Sequence, residues 1–164
     1  MTRVVLREAT VADVAALTRI WQSPEVARWW PNMDSNEITS LVGGVKAELD
    51  TYVIEIDGTV GGFLQAFEEP DPEYRHASLD IMVGAEFQGQ GVGPEAIRQI
   101  ARRLFAAGHH RITIDPRAEN TRARRAYEKV GFKEVGVMRR YELDPASGEF
   151  RDGVLYDLLE EDLI

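Results

Sequence analysis

The 164-residue chain is predicted to fold as a mixed α/β domain, and three observations carry that expectation. Apolar residues recur at helical spacing, most clearly Ile97, Ile100, Ala101, Leu104 and Phe105. Runs rich in β-branched and aromatic residues, "TYVIEI" and "TVGGFLQAF", flank the turn pair Asp57-Gly58. Turn residues punctuate the chain at short intervals with no linker, repeat or low-complexity tract, so residues 1–164 are expected to form one domain around one core.

The elements follow in order. "TVADVAALTRIW" opens with Thr10 as N-cap and Asp13 three residues on, and places Val14, Leu17 and Trp21 on one helical face. "SPEVARWW" sets Ser23 as N-cap before Pro24 at the first helical position. A third helix is expected after Asp34 or Ser35, with Ile38, Leu41, Val42, Val45 and Leu49 inward. The hairpin over 51–67 and a strand in "RHASLDIMVG" come next, then a helix closed by Gly108. "RITIDP" reads as a short strand ended by Pro116, and "NTRARRAYEKVGF" as a basic helix closed by Gly131. Two last strands, 132–142 and about 150–159, flank the turn "DPASGE".

Composition narrows the function classes. With no cysteine, disulfides and thiolate chemistry are excluded, and a cytoplasmic location is expected. No 18-residue apolar stretch occurs, so neither a membrane span nor a signal peptide is expected. His76, His109 and His110 lack metal-ligand spacing, so no metal is expected. The net charge of −9 is segregated: residues 88–129 hold nine Lys/Arg against four acids, and the remainder ten against twenty-four. The basic segment suits an anion, while the acidic remainder would repel nucleic acid and attract a cation.

Within the basic segment lies "EFQGQGVGPEA", where Gly89, Gly91 and Gly93 alternate before Pro94 and Glu95 open a helix. A Walker A loop would need Lys-Ser/Thr after its last glycine, and a dinucleotide fingerprint needs G-x-G-x-x-G early in a βαβ unit. What remains is Gln88-x-x-Gly91-x-Gly93 between a strand and a helix, a place where backbone N–H groups and the helix N-terminus can meet a phosphate.

Downstream, Asn120 precedes a helix carrying Tyr127, followed at once by "YEKVGF". Q-x-x-G-x-G, a helix, a strand, then N-x6-Y-E-x-x-G-F resembles the GCN5-related N-acetyltransferases, most specifically over residues 78–132. The resemblance implies a central mixed, mostly antiparallel sheet with flanking helices, and acetyl-CoA as cosubstrate. It places the pyrophosphate on the backbone of Gln88, Gly89, Gln90, Gly91, Val92 and Gly93. The strand residues Ile81, Met82 and Val83 would pair with the pantetheine arm, Asn120 would bond that arm from the other side, and the Tyr127 hydroxyl would point at the coenzyme sulfur.

Three stretches resemble the aminoglycoside 6′-N-acetyltransferase branch: "VARWWP", "SLDIMVG" and "TIDPRAENTRARRAYEKVGF". That branch implies Asp80 as base and Asp115 as an anchor for a cationic sugar. Trp29 and Trp30 as substrate contacts, with Glu68, Glu69, Asp71 and Glu73, would line an acidic, aromatic-edged cleft apt for such a sugar; the alternative is a packed helix and a solvated loop. The loop "EEPDPEYRH" is shorter than the tryptophan-bearing insertion of that branch, so the acceptor site is expected to be walled differently. The same "WWP"-type helix occurs in siderophore-pathway and ribosomal-protein acetyltransferases, which stand as the alternative enzymes. A non-catalytic acetyl-CoA or small-molecule sensor is the alternative from another class. The expected partner is a cationic amine substrate, with neither nucleic acid nor membrane, and the expected assembly a monomer or homodimer.

Overall fold

The computed structural model describes residues 2–31, 33–42 and 49–164. The strands are β1 (Val4–Glu8), β2 (Leu49–Ile56), β3 (Thr59–Glu68), β4 (Ala77–Val83), β5 (Ile112–Ile114), β6 (Lys133–Asp144) and β7 (Glu149–Leu158). The helices are α1 (Val14–Trp21), α2 (Pro24–Ala27), α3 (Ser35–Val42), α4 (Val92–Ala106) and α5 (Thr121–Glu128). One seven-stranded sheet runs β1-β2-β3-β4-β5-β7-β6, antiparallel throughout except for the parallel pair β4 and β5. The mixed, mostly antiparallel sheet with flanking helices is therefore the fold that the sequence predicts.

Strand alternation divides the core between the two faces of the sheet. Leu64, Leu79, Ile97, Ile100 and Tyr156 pack on the face covered by α4 and α5. Leu17, Trp21, Ile38, Phe63 and Met82 pack on the face covered by α1 to α3. β3 is buried on both sides from Gly61 to Ala66, which is why its residues do not alternate between apolar and polar; Gln65 is the one polar side chain in that stretch.

Local chemistry explains the turns. Asp57 (φ 48) and Gly58 (φ 84) both take positive φ, the conformation a two-residue hairpin requires. Asp13 accepts the Thr10 N–H at 2.8 Å, as the capping pair predicts, and also holds Arg7 through both carboxylate oxygens at 2.8 and 2.9 Å. Asp34 caps α3 by accepting the N–H groups of Asn36 and Glu37.

The sequence expectations need one addition and one correction. The sequence does not mark Val4–Glu8 as a strand, yet these residues form the sheet edge, completed by side chains of α4. Leu49 does not belong to the third helix but opens β2, opposite Phe67. Val45 lies outside the described residues.

Residues 159–164 return across the helices. The Ile164 carbonyl accepts Arg98 Nε at 2.6 Å, and its N–H donates to the Val130 carbonyl at 2.9 Å. Gly131 (φ 113) passes so close beneath that a Cβ there would lie 1.9 Å from the Asp162 carbonyl oxygen. No helix among the described residues is long and apolar enough to cross a membrane.

Candidate active site

The site forms where β4 and β5 part. The two strands pair only at Ala77 with Ile112 and Ser78 with Thr113, and the Ser78 and Thr113 hydroxyls hydrogen-bond at 3.0 Å. Beyond that bond β4 continues to Val83 with only β3 beside it, so backbone groups of residues 79–83 face an open gap. A cleft of about 1320 Å³ passes through this gap. It is lined on one side of the sheet by Trp29 and Trp30 and on the other by residues of α4 and α5. Two molecules can thus approach one another from opposite faces.

One end of the cleft is built by the glycine segment. Gly89 (φ 79) and Gly91 (φ 81) take left-handed backbone, and a Cβ on either would project into open space. Gly91 is the N-cap of α4, so the segment delivers backbone N–H groups at a helix N-terminus, the arrangement that receives a phosphate. Val92 is buried in the core and also lines the cleft. Gln88 donates to the Val83 carbonyl at 2.7 Å, tying the loop to the end of β4. Gln90 turns away: it donates to the Glu86 carbonyl and is not among the residues lining the cleft. Ile81, Met82, Val83, Gly89, Gly91 and Gly93 all line it.

Asn120 and Tyr127 close the far wall on α5. Asn120 is also the helix cap, its carboxamide oxygen accepting the Ala123 N–H at 3.2 Å. Its amide nitrogen makes no hydrogen bond to the described residues and is left for the cleft. Tyr127 is 7% exposed and packs against Phe132 and Tyr156, so the core-aromatic role and the cleft-facing role coexist. Burial, followed by the charges of Asp80 and Asp115, raises its pKa, so the phenol keeps its proton.

At the other end Asp80 and Asp115 stand on one face of the sheet. Asp80 lies two residues past Ser78 on β4 and so shares its face, as Asp115, just past β5, shares that of Thr113. Asp80 is open to the cleft, yet the surrounding walls remove enough bulk water to push its carboxyl up to about 6, helped by the charges of Asp115 and Glu142. Asp115 is also raised, chiefly by burial and then by Glu142, against the lowering effect of a hydrogen bond donated by the Tyr141 hydroxyl.

The aromatic edge divides its duties. Trp30 meets Trp21 edge-on at 5.4 Å and packs on the core, while Trp29 carries the Arg28 guanidinium at 4.7 Å over its ring. The expected acids Glu68, Glu69, Asp71 and Glu73 do not line the cleft. Glu68 instead pairs with buried His109 at 2.6 Å, because strand alternation turns it from the Phe67 side. The cleft-lining acids that the sequence reading missed are Glu25 and Glu142, the latter held by Arg117 at 3.1 Å with Tyr141 beside it. Gln65 is a further omission: it pairs directly opposite Asp80 across β3 and β4 and lines the same wall. Cross-strand register is the signal that finds it. Among the described residues no group of three or more His, Asp or Glu could hold a metal ion.

A family model described as an acetyltransferase (GNAT) domain matches residues 3–133. Aminoglycoside N(6′)-acetyltransferase type 1 of Klebsiella pneumoniae is 27% identical over 154 residues, covering 82% of this chain and 76% of that protein. RimJ of Mycobacterium smegmatis, solved in complex with CoA-disulfide, superimposes with a TM-score of 0.85 at 29% identity, covering 98% of this chain and 83% of that one. The aminoglycoside acetyltransferase AAC(6′)-Ib, solved with coenzyme A and kanamycin, superimposes with a TM-score of 0.80 at 22% identity, covering 98% and 96%. A glycine cradle, parted strands and a buried tyrosine in one cleft, together with a family match over most of the length, place the chain in the GNAT acetyltransferase family.

Proposed function

We propose that the chain, acting as a single domain of residues 1–164, transfers acetyl from acetyl-CoA to a primary amine of a cationic small molecule, the 6′-amino group of an aminoglycoside. The observation that carries the acceptor is the pair Asp80 and Asp115 at the mouth of the parted strands. Arg117 offsets Glu142, which leaves these two carboxylates facing the acceptor side with no cation bonded to them among the described residues. A molecule with several ammonium groups would complement them. The similarity to the Klebsiella enzyme supports the same class.

In this reading Asp80 takes a proton from the incoming ammonium, directly or through water. The freed amine nitrogen bonds to the acetyl carbonyl carbon, the carbon–sulfur bond breaks, the departing thiolate takes the Tyr127 proton, and the second proton shed by the acylated nitrogen restores the phenol, directly or through water. Asp115, Trp29 and Trp30 hold the acceptor. Backbone groups of Ile81, Met82 and Val83, with Asn120 opposite, hold the pantetheine arm, and the segment from Gln88 to Gly93 holds the pyrophosphate. Gln90 would contribute only its backbone, since its side chain is engaged with Glu86.

A thiol-release assay with acetyl-CoA tests the reading against kanamycin-type sugars, polyamines, lysine-derived hydroxamates and peptides with free N-termini. The sugars should be acetylated, with KM rising as salt screens the carboxylates. Asp115→Asn should raise KM for the sugar while sparing acetyl-CoA affinity. Turnover of peptides or hydroxamates with none on any 6′-amino sugar would transfer the assignment to the ribosomal-protein or siderophore-pathway alternatives. Acetyl-CoA binding without turnover of any amine would favour the sensor.

A further inference from the structure

The hairpin of β6 and β7 brings to the cleft a tyrosine that the donor site and the acid pair do not account for. The ladder between these strands loses register between Met138 and Glu142. At the irregularity Arg140 takes φ +49, a costly conformation for a residue with a side chain. Its N–H is held by Asp152 Oδ1 at 2.7 Å. Past this bulge Tyr141 and Glu142 are re-aimed: Glu142 receives Arg117 through both oxygens at 3.1 and 3.2 Å, and the Tyr141 hydroxyl donates to Asp115 Oδ2. The Tyr141 ring lies over Gly153, where a Cβ would come within 2.8 Å of its Cδ1 and 3.3 Å of its Cγ. A bulge, a backbone clamp, a buried arginine and a side-chain-free notch therefore converge on the position of one phenol.

We propose that Tyr141 is a positioning residue for acceptor capture, holding one oxygen of Asp115 so that the other is presented to the incoming ammonium. The proposal rests on the reading of Asp115 as the acceptor's anchor. A carboxylate at the end of a short strand can rotate about its last torsion, and a phenol on one oxygen removes that freedom. The same bond favours the ionised form of Asp115 against burial and against Glu142. The groups that face Asp115 are Asp80 from β4, Tyr141 and Glu142 from β6, and Tyr127 from α5. Arg117, two residues along, is committed to Glu142 and Asp144. Of these groups, the Tyr141 hydroxyl is the one that donates a hydrogen bond to the Asp115 side chain among the described residues.

Tyr141→Phe removes the hydroxyl and keeps the ring; Gly153→Ala keeps the hydroxyl and displaces the ring. In the free protein, carbon-13 NMR of the aspartate carboxyls should show Asp115 titrating at higher pH in both variants. With an amine that the wild type acetylates, KM for that amine should rise about tenfold, as expected for a lost hydrogen bond to a charged group. Both kcat and the KM for acetyl-CoA should stay within about twofold, since neither donor contacts nor the proton relay change. An unchanged Asp115 titration in Tyr141→Phe overturns the proposal. So does a shifted titration with an unchanged amine KM, because Asp115 would then be tuned without anchoring anything. If Gly153→Ala does not fold, Tyr141→Phe alone decides. If the wild type acetylates no amine, the functional reading fails, and an unmoved titration would still separately overturn the role of Tyr141.

Discussion

Gln99 on α4 completes the free edge of β1 by reaching Leu6. Its carboxamide oxygen accepts the Leu6 N–H at 3.1 Å, and its nitrogen donates to the Val4 carbonyl at 2.9 Å. Arg103 adds a bond to the Leu6 carbonyl at 2.8 Å. Pairing with β2 uses the alternate residues, so these are the groups a sheet edge leaves bare. Side chains of a helix stand where an eighth strand would lie.

Gln99→Leu should therefore destabilise the fold by about 2 kcal/mol, the cost of leaving two part-buried backbone groups unpaired, and lower Tm by about 4–8 °C. Thermal unfolding followed by circular dichroism checks this. A Tm within a degree of wild type would mean that water replaces the carboxamide at no cost.

Gly91→Glu and Gly93→Glu should abolish acetyl-CoA binding by placing a side chain and a negative charge at the helix N-terminus. Gly93 makes the cleaner test. It has no positive φ, and its nearest neighbour to an added Cβ is Val83 Cγ2 at 3.8 Å, so backbone strain is not involved. Calorimetry on the folded variants measures the effect. Wild-type affinity in both would remove the glycine segment from the donor site.

Tyr127→Phe should lower kcat by roughly 100-fold or more, within the range for a lost general acid, with little change in coenzyme affinity because the ring still packs. Near wild-type kcat would mean that water supplies the proton and that Tyr127 is only core.

Asp80 links catalysis to stability through one titration. As a base it must be ionised, so kcat/KM for the amine should rise with pH through about 6, and Asp80→Asn should lower that ratio and flatten the limb. Its folded value stands above its ordinary one, so the penalty for holding the charge is present above about pH 6 and relieved on acidification towards 4. Asp80→Asn should then be the more stable protein at pH 8, by about 1 kcal/mol after allowing for solvent in the cleft. A variant less stable than wild type at that pH would show that the ionised carboxylate is well satisfied where it stands.

How far the sequence could be read depended on the distance over which each feature is determined. Asp57-Gly58, Asn120 and the glycines at 91 and 131 act on their own turns, and each was legible from its neighbours. Asp80 and Asp115 were legible because each sits in a recognisable stretch, although their meeting depends on the register of β4 with β5. Val4–Glu8 escaped because its outer edge is completed by Gln99 and Arg103, over ninety residues away. Glu68 was misread for want of its strand phase, and Tyr141 and Glu142 were overlooked because a bulge re-aims them. An irregularity of pairing leaves no periodic trace in composition.

The crossing of residues 159–164 over Gly131 has a kinetic consequence. Arg98 and Lys129 line the cleft, and the segment fastens Arg98 through the Ile164 carbonyl while packing onto the turn that ends α5. Residence time at the donor site should thus be governed partly by how often this strap lifts, a local opening remote from any ligand contact. Gly131→Ala, which forces the Asp162 carbonyl away, should speed coenzyme dissociation and amide exchange in the strap together. Faster exchange with an unaltered dissociation rate would show that the strap opens without loosening the wall it covers.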